Sequence, residues 1–467
     1  MSDLADRLRA ALGADAVRTD PDTRARHRRD TWVLSELRDV EGEAFSAPAA
    51  VVEPESAPQV AEALRLCRAA RVPVVPYGGG SGVVGGVLVP EGAVVLSTRR
   101  LDGLVALDDR DLLARFRAGT NGMAAERRVA EAGLTIGHWP QSIELSTVGG
   151  WVATRAAGQY STAYGNVEDL VFALEVVLPD GTIVRTRETP RAAAGPDLRQ
   201  LFLGSEGTLG VVTEVTFSLR PRPEASRGQA FHFAGLGPGL EAIRKIVRAG
   251  WRPPVVRLYD AHESRRGFAA HCPEGRALLL LLHEGPAGLV EAERAAAAAL
   301  ASAEGGAEAD PAAVDDWLEH RNRVPSFRSL LERGLVVDTV EVGATWDRVL
   351  PLYERVTASL RKVEGVFVAS GHSSHSYRSG TNLYFTFAAR PEAPERRAAV
   401  YRECWRRTME ATLAEGGGIA HHHGVGRVRR EFLPGELGTS GVALLRTLKR
   451  ALDPDGLMNP GVLVPGA

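Results

Sequence analysis

Residues 76–86 read Pro-Tyr-Gly-Gly-Gly-Ser-Gly-Val-Val-Gly-Gly, and this stretch decides the fold. It follows a short apolar run at 72–75, which predicts a buried strand. Successive N–H groups without bulky side chains can point into one concavity, and such a nest binds phosphate oxygens. No Gly-Lys-Ser/Thr follows, so the stretch is not a P-loop, and it does not match the fingerprint of an ordinary Rossmann unit. We therefore predict a pyrophosphate site, with a glycine-rich turn without ligand as the alternative.

Two further glycine-rich stretches follow, at residues 146–154 and 204–213. Between them, residues 170–186 contain two strand-like runs joined by Pro-Asp-Gly, which predicts a hairpin with an Asp-Gly turn. Three small-residue loops, each beside strands, indicate one extended ligand that the backbone contacts along its length.

Length and composition limit the number of domains, the binding partners and the cellular location that the chain can have. A chain of 467 residues exceeds a single comfortable core, so we expect two or more domains. The net charge of −2 provides no basic surface for nucleic acid. Three separated cysteines, the absence of a signal-peptide pattern and the lack of any apolar run of ~20 residues favour a cytoplasmic protein without disulfides.

The second half carries a histidine triplet between glycines, in the stretch 416–426 that reads Gly-Gly-Gly-Ile-Ala-His-His-His-Gly-Val-Gly. Histidine changes charge near neutral pH, and glycine permits close backbone approach. We interpret the stretch as a loop that delivers imidazoles to a reacting centre. A mobile surface loop and a chance metal site are the alternatives. We predict no metal, because adjacent residues rarely converge on one ion.

The three glycine-rich stretches resemble, in order and spacing, the FAD-binding domain of the vanillyl-alcohol oxidase and p-cresol methylhydroxylase (PCMH) superfamily. The resemblance implies that residues 76–86 hold the pyrophosphate of FAD and that the other two stretches line the rest of it. Some members tether flavin through a histidine, often in the first loop. The first loop here has none, so we expect non-covalent FAD. The implied cofactor-binding residues are Pro76, Gly78, Gly79, Gly80, Ser81, Gly82, Ser146, Thr147, Gly149, Gly150, Thr154, Gly204, Glu206, Gly207, Thr208 and Gly210.

The predicted fold class is α+β. After residue 223, strand-like runs at 277–282, 335–342 and 383–388 alternate with Ala/Arg-rich helical segments, which indicates an α+β cap domain. The resemblance implies a two-subdomain PCMH-type FAD-binding domain before this cap, and a C-terminal tail that returns to the FAD domain. The predicted boundaries are 1–45 for an N-terminal helical cover, 46–225 for the FAD-binding domain, 226–415 for the cap (substrate) domain, and 416–467 for the histidine loop and C-terminal segment.

The second half has further positions that resemble a known family, namely Arg257, Arg328, Tyr384, the histidines at 421–423 and the stretch 371–377. They are similar to the alkyl-dihydroxyacetonephosphate synthase (alkylglycerone-phosphate synthase) family. The resemblance implies that Tyr384 donates and accepts protons, that Arg328 binds a substrate phosphate and that Arg257 is a second active-site cation. It implies that His421, His422 and His423 transfer protons and place an alcohol. The chemistry agrees, since an arginine fork suits phosphate, and a tyrosine with a pKa near 10 needs neighbouring cations to act as a base.

The activity implied by this resemblance is a transferase reaction of ether lipid biosynthesis. The acyl group of acyl-dihydroxyacetonephosphate is exchanged for a fatty alcohol through a flavin N5 adduct, without net redox change. An FAD-dependent oxidase or dehydrogenase of a 2-hydroxy acid or other small alcohol is the first alternative. Such enzymes tend to have Glu-His-Gly where residues 422–424 read His-His-Gly, which favours the synthase. A flavin-binding protein without catalysis is the second.

The expected partner is a small-molecule or lipid-like substrate and not nucleic acid. Peripheral membrane contact and a homodimer stay open.

Overall fold

The computed structural model describes residues 2–324 and 326–466, and all elements and counts below refer to those ranges; Met1, Pro325 and Ala467 lie outside them. The amino-terminal elements are α1 (Ser2–Leu12), β1 (Val17–Arg18), α2 (Pro21–Arg26), α3 (Val33–Val40), β2 (Ala50–Val52), α4 (Ala57–Ala69), β3 (Val74–Tyr77), β4 (Val94–Ser97), β5 (Leu104–Asp108), β6 (Leu113–Arg117), α5 (Gly122–Ala130), β7 (Leu134–Thr135), α6 (Val148–Thr154), α7 (Ser161–Tyr164), α8 (Val167–Leu170), β8 (Val171–Val177), β9 (Ile183–Arg185), α9 (Arg199–Phe202), β10 (Val211–Ser218) and β11 (Arg220–Pro221).

The carboxyl-terminal elements are β12 (Ala225–Phe233), α10 (Leu236–Arg248), β13 (Val255–Tyr259), α11 (Ala261–Phe268), β14 (Ala277–Gly285), α12 (Ala287–Ala303), β15 (Ala307–Ala309), α13 (Ala312–His320), α14 (Arg328–Glu332), β16 (Val336–Thr345), α15 (Val349–Leu360), β17 (Val366–Ser373), β18 (Gly380–Ala389), α16 (Arg397–Ala414) and α17 (Leu433–Leu452).

The first sheet has the strand order β1-β2-β4-β3, in which β2, β4 and β3 are parallel and the edge strand β1 is antiparallel to β2. Strand β3 begins at Val74, two residues later than predicted, because the Val72 N–H is still bonded to the Cys67 carbonyl at the end of α4. The glycine-rich residues 78–86 leave the carboxyl end of β3. They therefore form a loop at the edge of a parallel sheet, where open α/β sheets bind ligands.

The second sheet has the order β5-β6-β10-β8-β9 and is antiparallel throughout. The predicted hairpin is confirmed as β8 and β9. Its turn needs Gly181, which has φ +84°, and the Asp180 carboxylate accepts the Thr182 N–H at 2.8 Å.

The cap contains a seven-stranded antiparallel sheet with the order β15-β12-β14-β13-β17-β18-β16. The three predicted cap strands are confirmed as β14, β16 and β18. One face of the sheet carries buried apolar side chains such as Leu258, Val340 and Phe385, and it packs on α10, α15 and α16. On β13, β16, β17 and β18 the opposite face is polar. An antiparallel sheet with one apolar face typically turns the other toward solvent or a ligand.

The C-terminal segment returns to the FAD-binding domain, as the fold prediction required. Met458 pairs with Val74 of β3, and Asn459 Nδ2 donates to the Gly86 carbonyl at 3.0 Å and to the Glu206 carbonyl at 2.7 Å. Asn459 thus joins two glycine-rich loops. The domain boundaries stay a prediction. Among the described helices, none is at once long and apolar enough to cross a lipid bilayer.

Candidate active site

A cavity of about 730 Å³ separates the three glycine-rich loops from the polar face of the cap sheet. One wall is formed by residues from the stretches 76–84, 140–157 and 205–212, and the other by residues of the cap and the histidine loop. The cap residues on this wall include Arg257, Tyr259, Glu263, Arg266, Asp338, Thr339, His372, Ser374, His375, Tyr384, Thr386, His422 and His423.

The first loop presents unpaired N–H groups to this cavity. Within the described ranges, the N–H groups of residues 79–82 have no backbone acceptor. The loops are also too close for side chains, because a Cβ at Gly79 would lie 2.1 Å from the Leu145 carbonyl oxygen. A run of N–H groups that has no acceptor in the protein can form a nest, and such a nest fits an anionic pyrophosphate.

Fourteen of the sixteen predicted cofactor residues line the cavity, while Gly204 and Thr208 stand behind it. Gly204, with φ +79°, donates its N–H to the Val152 carbonyl, and the Thr208 hydroxyl donates to the Ser205 carbonyl at 2.7 Å. These two residues shape the third loop and do not face the ligand.

Two buried carboxyl groups lie on the loop side, and they are Glu206, one of the predicted cofactor residues, and Asp30, which was not predicted. Glu206 accepts the N–H groups of Val425 at 2.7 Å and Gly426 at 2.8 Å, so it ties the third loop to the histidine loop. Asp30 accepts the N–H of Trp32 at 3.2 Å. Burial raises the pKa of each carboxyl to about 7.

Tyr384 lies at the centre of the polar cap face. In the sheet register it is paired with Glu341 of β16 on one side and with His372 of β17 on the other. Its hydroxyl accepts a hydrogen bond from Thr339 Oγ1 at 3.0 Å. Burial raises the pKa of Tyr384 well above its usual value, and the Glu341 and Asp338 carboxylates raise it further. Tyr384 therefore holds its proton and faces the cavity as a donor, although the sequence led us to expect cations to lower its pKa.

His423 is held by a buried carboxylate. Its Nδ1 lies 2.8 Å from Glu341 Oε2, and Glu341 Oε1 accepts the backbone N–H groups of His423 at 2.9 Å and His422 at 3.2 Å. Arg429 also bonds to Glu341. Burial opposes ionisation of Glu341, but Arg429 and His423 keep its pKa well below the usual value. A carboxylate that fixes one imidazole nitrogen leaves the other available for proton transfer.

Arg257 of β13 is the cap cation with the most defined position. Its Nε donates to Tyr259 Oη at 2.8 Å, and an Nη donates to His372 Nε2 at 3.0 Å. Because arginine can only donate, His372 must accept at Nε2 and donate from Nδ1 to Glu263 Oε2 at 2.6 Å. Burial opposes ionisation of Glu263, yet His372 and Arg266 lower its pKa to about 2. His372 is thus neutral and positions Arg257.

His375, His421 and His422 come together with ring nitrogens within 4.8 Å of one another. The sequence did not indicate this convergence, because His375 follows β17 and the other two lie in the distant histidine loop. Nitrogens that share one zinc ion at ~2.1 Å are at most ~4.2 Å apart and usually ~3.4 Å. The Nδ1 atoms of His421 and His422 are only 2.8 Å apart, which is a hydrogen bond. The absence of a metal stays a prediction.

Arg328 and His421 are the two predicted catalytic or substrate residues that do not line the cavity. Arg328 begins α14 and bonds to Asp39 at 3.1 Å and Glu332 at 3.0 Å. His421 lies behind His422. The cavity brings together the other four predicted residues, which are Tyr384, His422, His423 and Arg257.

Some of the residues that sequence reasoning missed did carry a signal, which is a charged or polar residue within a strand-like run or inside a recognised stretch. Strand β16 begins Val-Val-Asp-Thr-Val-Glu-Val, and its Glu341 lies between two valines of this strand and is buried. His372 and His375 lie in the stretch 371–377 that carried the resemblance. Thr339 and Glu263 gave no signal of their own.

Comparisons with known proteins identify the family and the fold of the chain. Residues 48–187 match the family described as an FAD binding domain, and residues 222–463 match the C-terminal domain of FAD linked oxidases. An uncharacterized FAD-linked oxidoreductase (YgcU) of Escherichia coli O157:H7 is 34% identical over 99% of this chain and 98% of that protein. The alkyldihydroxyacetonephosphate synthase of Caenorhabditis elegans is 30% identical over 91% of this chain and 77% of that protein.

Solved structures show the same fold. An alkyldihydroxyacetonephosphate synthase structure has a TM-score of 0.83 at 24% identity, over 98% of this chain and 84% of that chain. p-Cresol methylhydroxylase with substrate bound has a TM-score of 0.78 at 17% identity, over 98% of this chain and 96% of that chain.

Proposed function

Because this chain belongs to the FAD-linked oxidase family and has FAD as its cofactor, we propose that it is an FAD-dependent transferase similar to alkylglycerone-phosphate synthase. It would exchange the acyl group of acyl-dihydroxyacetonephosphate for a fatty alcohol. The named synthases among its relatives support this proposal.

The exchange sets clear demands on the protein. The bond between the substrate carbon and the acyloxy oxygen breaks, and a bond from the same carbon to the alcohol oxygen forms. The acyl group leaves as a fatty acid that takes up one proton, the alcohol gives up one proton, and no net electrons are transferred. Bound flavin supplies the electron sink that activates the substrate carbon. The chain must hold the substrate, place the alcohol and move protons at two separate atoms.

The observation that carries the proposal is the presence of two acid–base groups, each with its own partner. Tyr384 is held by Thr339, and His423 is held by Glu341, with the two rings 5.7 Å apart between centroids. Tyr384 is placed to give and take a proton at the substrate carbon. His423, backed by a carboxylate, is placed to take the alcohol proton. Oxidation of a simple alcohol needs only one such base.

Arg257 is the cation best placed for the substrate's anionic group. Its guanidinium lies 5.3 Å from the centroid of the Trp317 ring, and its Nε and one Nη are fixed by Tyr259 and His372. A fixed guanidinium loses little entropy when it binds an anion.

A second candidate is FAD-linked oxidation of a 2-hydroxy acid. The observation that favours it is the position of Arg328, whose guanidinium bonds to Asp39 and Glu332 and not to the cavity. Of the two arginines that the sequence singled out, only Arg257 then lines the cavity, and one arginine fork suits a carboxylate as well as a phosphate.

The test is incubation of the purified holoenzyme with acyl-dihydroxyacetonephosphate and a labelled fatty alcohol, followed by mass spectrometry. We expect the label in an ether-linked product and release of one fatty acid for each label incorporated. A parallel panel of 2-hydroxy acids should leave the flavin oxidised. Flavin bleaching by a hydroxy acid, with no labelled ether, would replace the first candidate by the second.

A further inference from the structure

We infer that Tyr377, His421 and His422 form a proton relay that links the cavity to the side of the protein near Asn166. This inference deepens the proposed function, because it assigns the route by which protons of the exchange reach His422. The three groups act together as one chain of hydrogen bonds. Tyr377 belongs to this chain although it does not line the cavity.

The direction of each hydrogen bond in the relay follows from the Asn166 side-chain N–H group, which can only donate. Asn166 Nδ2 donates to Tyr377 Oη at 3.0 Å. The Tyr377 hydroxyl then donates its own proton to His421 Nε2, which lies 2.7 Å away. A neutral imidazole that accepts at Nε2 carries its proton on Nδ1.

The direction continues to the cavity. His421 Nδ1 donates to His422 Nδ1 at 2.8 Å, so His422 accepts at Nδ1 and carries its proton on Nε2. His422 lines the cavity, and its ring lies 6.0 Å from the Tyr384 ring, centroid to centroid. The chain therefore ends in an imidazole N–H at the reacting centre.

The other end of the chain lies toward solvent. Tyr377 and Asn166 are half-buried, and the Asn166 N–H donates to the exposed Asp169 at 2.9 Å. When His422 gives its Nε2 proton to a leaving group, it takes the Nδ1 proton of His421. His421 takes the Tyr377 proton, and solvent restores Tyr377. Each step breaks one N–H or O–H bond and forms one, so charge and protons balance.

His375 keeps the relay in register without belonging to it. Its Nδ1 is bonded to Ser161 Oγ at 2.7 Å, and its ring stacks on His421 at 5.0 Å between centroids. This packing holds the His421 ring in the orientation that both of its hydrogen bonds need.

The test measures imidazole tautomers directly in the substrate-free holoenzyme, so it does not depend on the proposed reaction. Long-range 1H–15N spectra of the 15N-histidine-labelled protein distinguish Nδ1–H from Nε2–H. Variants His421→Asn and His422→Asn assign the signals. We expect His421 as the Nδ1–H tautomer and His422 as the Nε2–H tautomer. In Tyr377→Phe, both should become tautomer mixtures.

The matched control is Tyr164→Phe, since Tyr164 donates to Glu284 and has no contact with the histidine loop among the described contacts. It should leave both tautomers fixed. Retention of FAD shows that each variant is folded. His421 as the Nε2–H tautomer, or a Tyr377→Phe spectrum equal to wild type, would overturn the relay. So would uptake of one Zn²⁺ per chain with shifts of His375, His421 and His422 together.

Discussion

The two walls of the cavity are built in different ways. The loop wall is made of contiguous glycine-rich stretches that offer backbone N–H groups, and its function depends on the absence of side chains. The cap wall is made of side chains from four strands and a distant loop, each fixed by a partner. Cofactor binding and chemistry should therefore be separable by mutation. Changes in the loop wall remove both, while changes in the cap wall remove only the second.

The loop wall alone should hold the flavin, and it should do so without a covalent bond. Denaturation should therefore release either all of the flavin or none of it. Residues 76–86 contain no histidine that could tether FAD. Acid precipitation of the purified protein should release all the flavin and leave a yellow supernatant over a colourless pellet. A coloured pellet would show a covalent bond and a larger part for side chains in cofactor binding.

Gly79→Val should abolish FAD binding and with it all turnover. Even a Cβ at this position would lie 2.1 Å from the Leu145 carbonyl oxygen, so the two loops must separate and the N–H nest is lost. The flavin absorbance of the purified variant, per protein, measures the effect. Gly288→Ala is the matched control, because no atom lies within 4 Å of its Cβ position. A yellow Gly79→Val protein would contradict the role of the loop.

Tyr384→Phe should reduce turnover on the order of 10²–10⁴-fold, as expected for loss of a general acid–base group. FAD content should stay at the wild-type level, because Tyr384 belongs to the cap wall. Turnover and flavin absorbance are measured on the same preparation. Tyr353→Phe is the control, since Tyr353 donates to the buried Asp260, lies outside the cavity and packs on Phe385. Wild-type turnover in Tyr384→Phe would make Tyr384 a packing residue.

Glu341→Gln should lower the free energy of unfolding by about 3–5 kcal/mol at neutral pH, because Arg429 keeps a buried charge without its partner. The folded pKa of Glu341 lies well below its unfolded value of about 4.3. Its stabilisation is therefore complete above that value and is lost as pH falls toward the folded pKa. Urea midpoints of wild type and variant should converge in acid. The exposed Glu332→Gln control should have the urea midpoint of wild type. A difference in midpoint between wild type and Glu341→Gln that stays constant at all pH values would contradict the lowered pKa of Glu341.

The smallest effect should come from Arg328. Arg257→Ala should raise KM for the anionic substrate about 10–150-fold, from the ~1.5–3 kcal/mol of a charged hydrogen bond. Arg328→Ala should change it less than about threefold, as is usual for an exposed side chain. A larger effect at Arg328 would mean that it leaves Asp39 and enters the cavity when substrate binds.

The same difference between the walls explains what the sequence could predict. The glycine-rich loops and the Asp-Gly hairpin are local patterns with local causes, and each was identified. The pairing of Tyr384 with Glu341 and His372 depends on the register of three strands, which no single stretch contains. The ion pair of Arg328 with Asp39 depends on where α3 lies. Thr339, on the same strand as Glu341, could be recognised only after that register was known.

The most direct measurement combines the flavin spectrum with product analysis in a single anaerobic turnover of wild-type holoenzyme. Acyl-dihydroxyacetonephosphate and a labelled fatty alcohol are mixed with the enzyme in amounts equal to the flavin. We expect that the flavin is fully oxidised at the end and that one labelled ether forms per active site. Flavin that is reduced at the end of the turnover would contradict this expectation. Fully oxidised flavin without any labelled ether would contradict it as well.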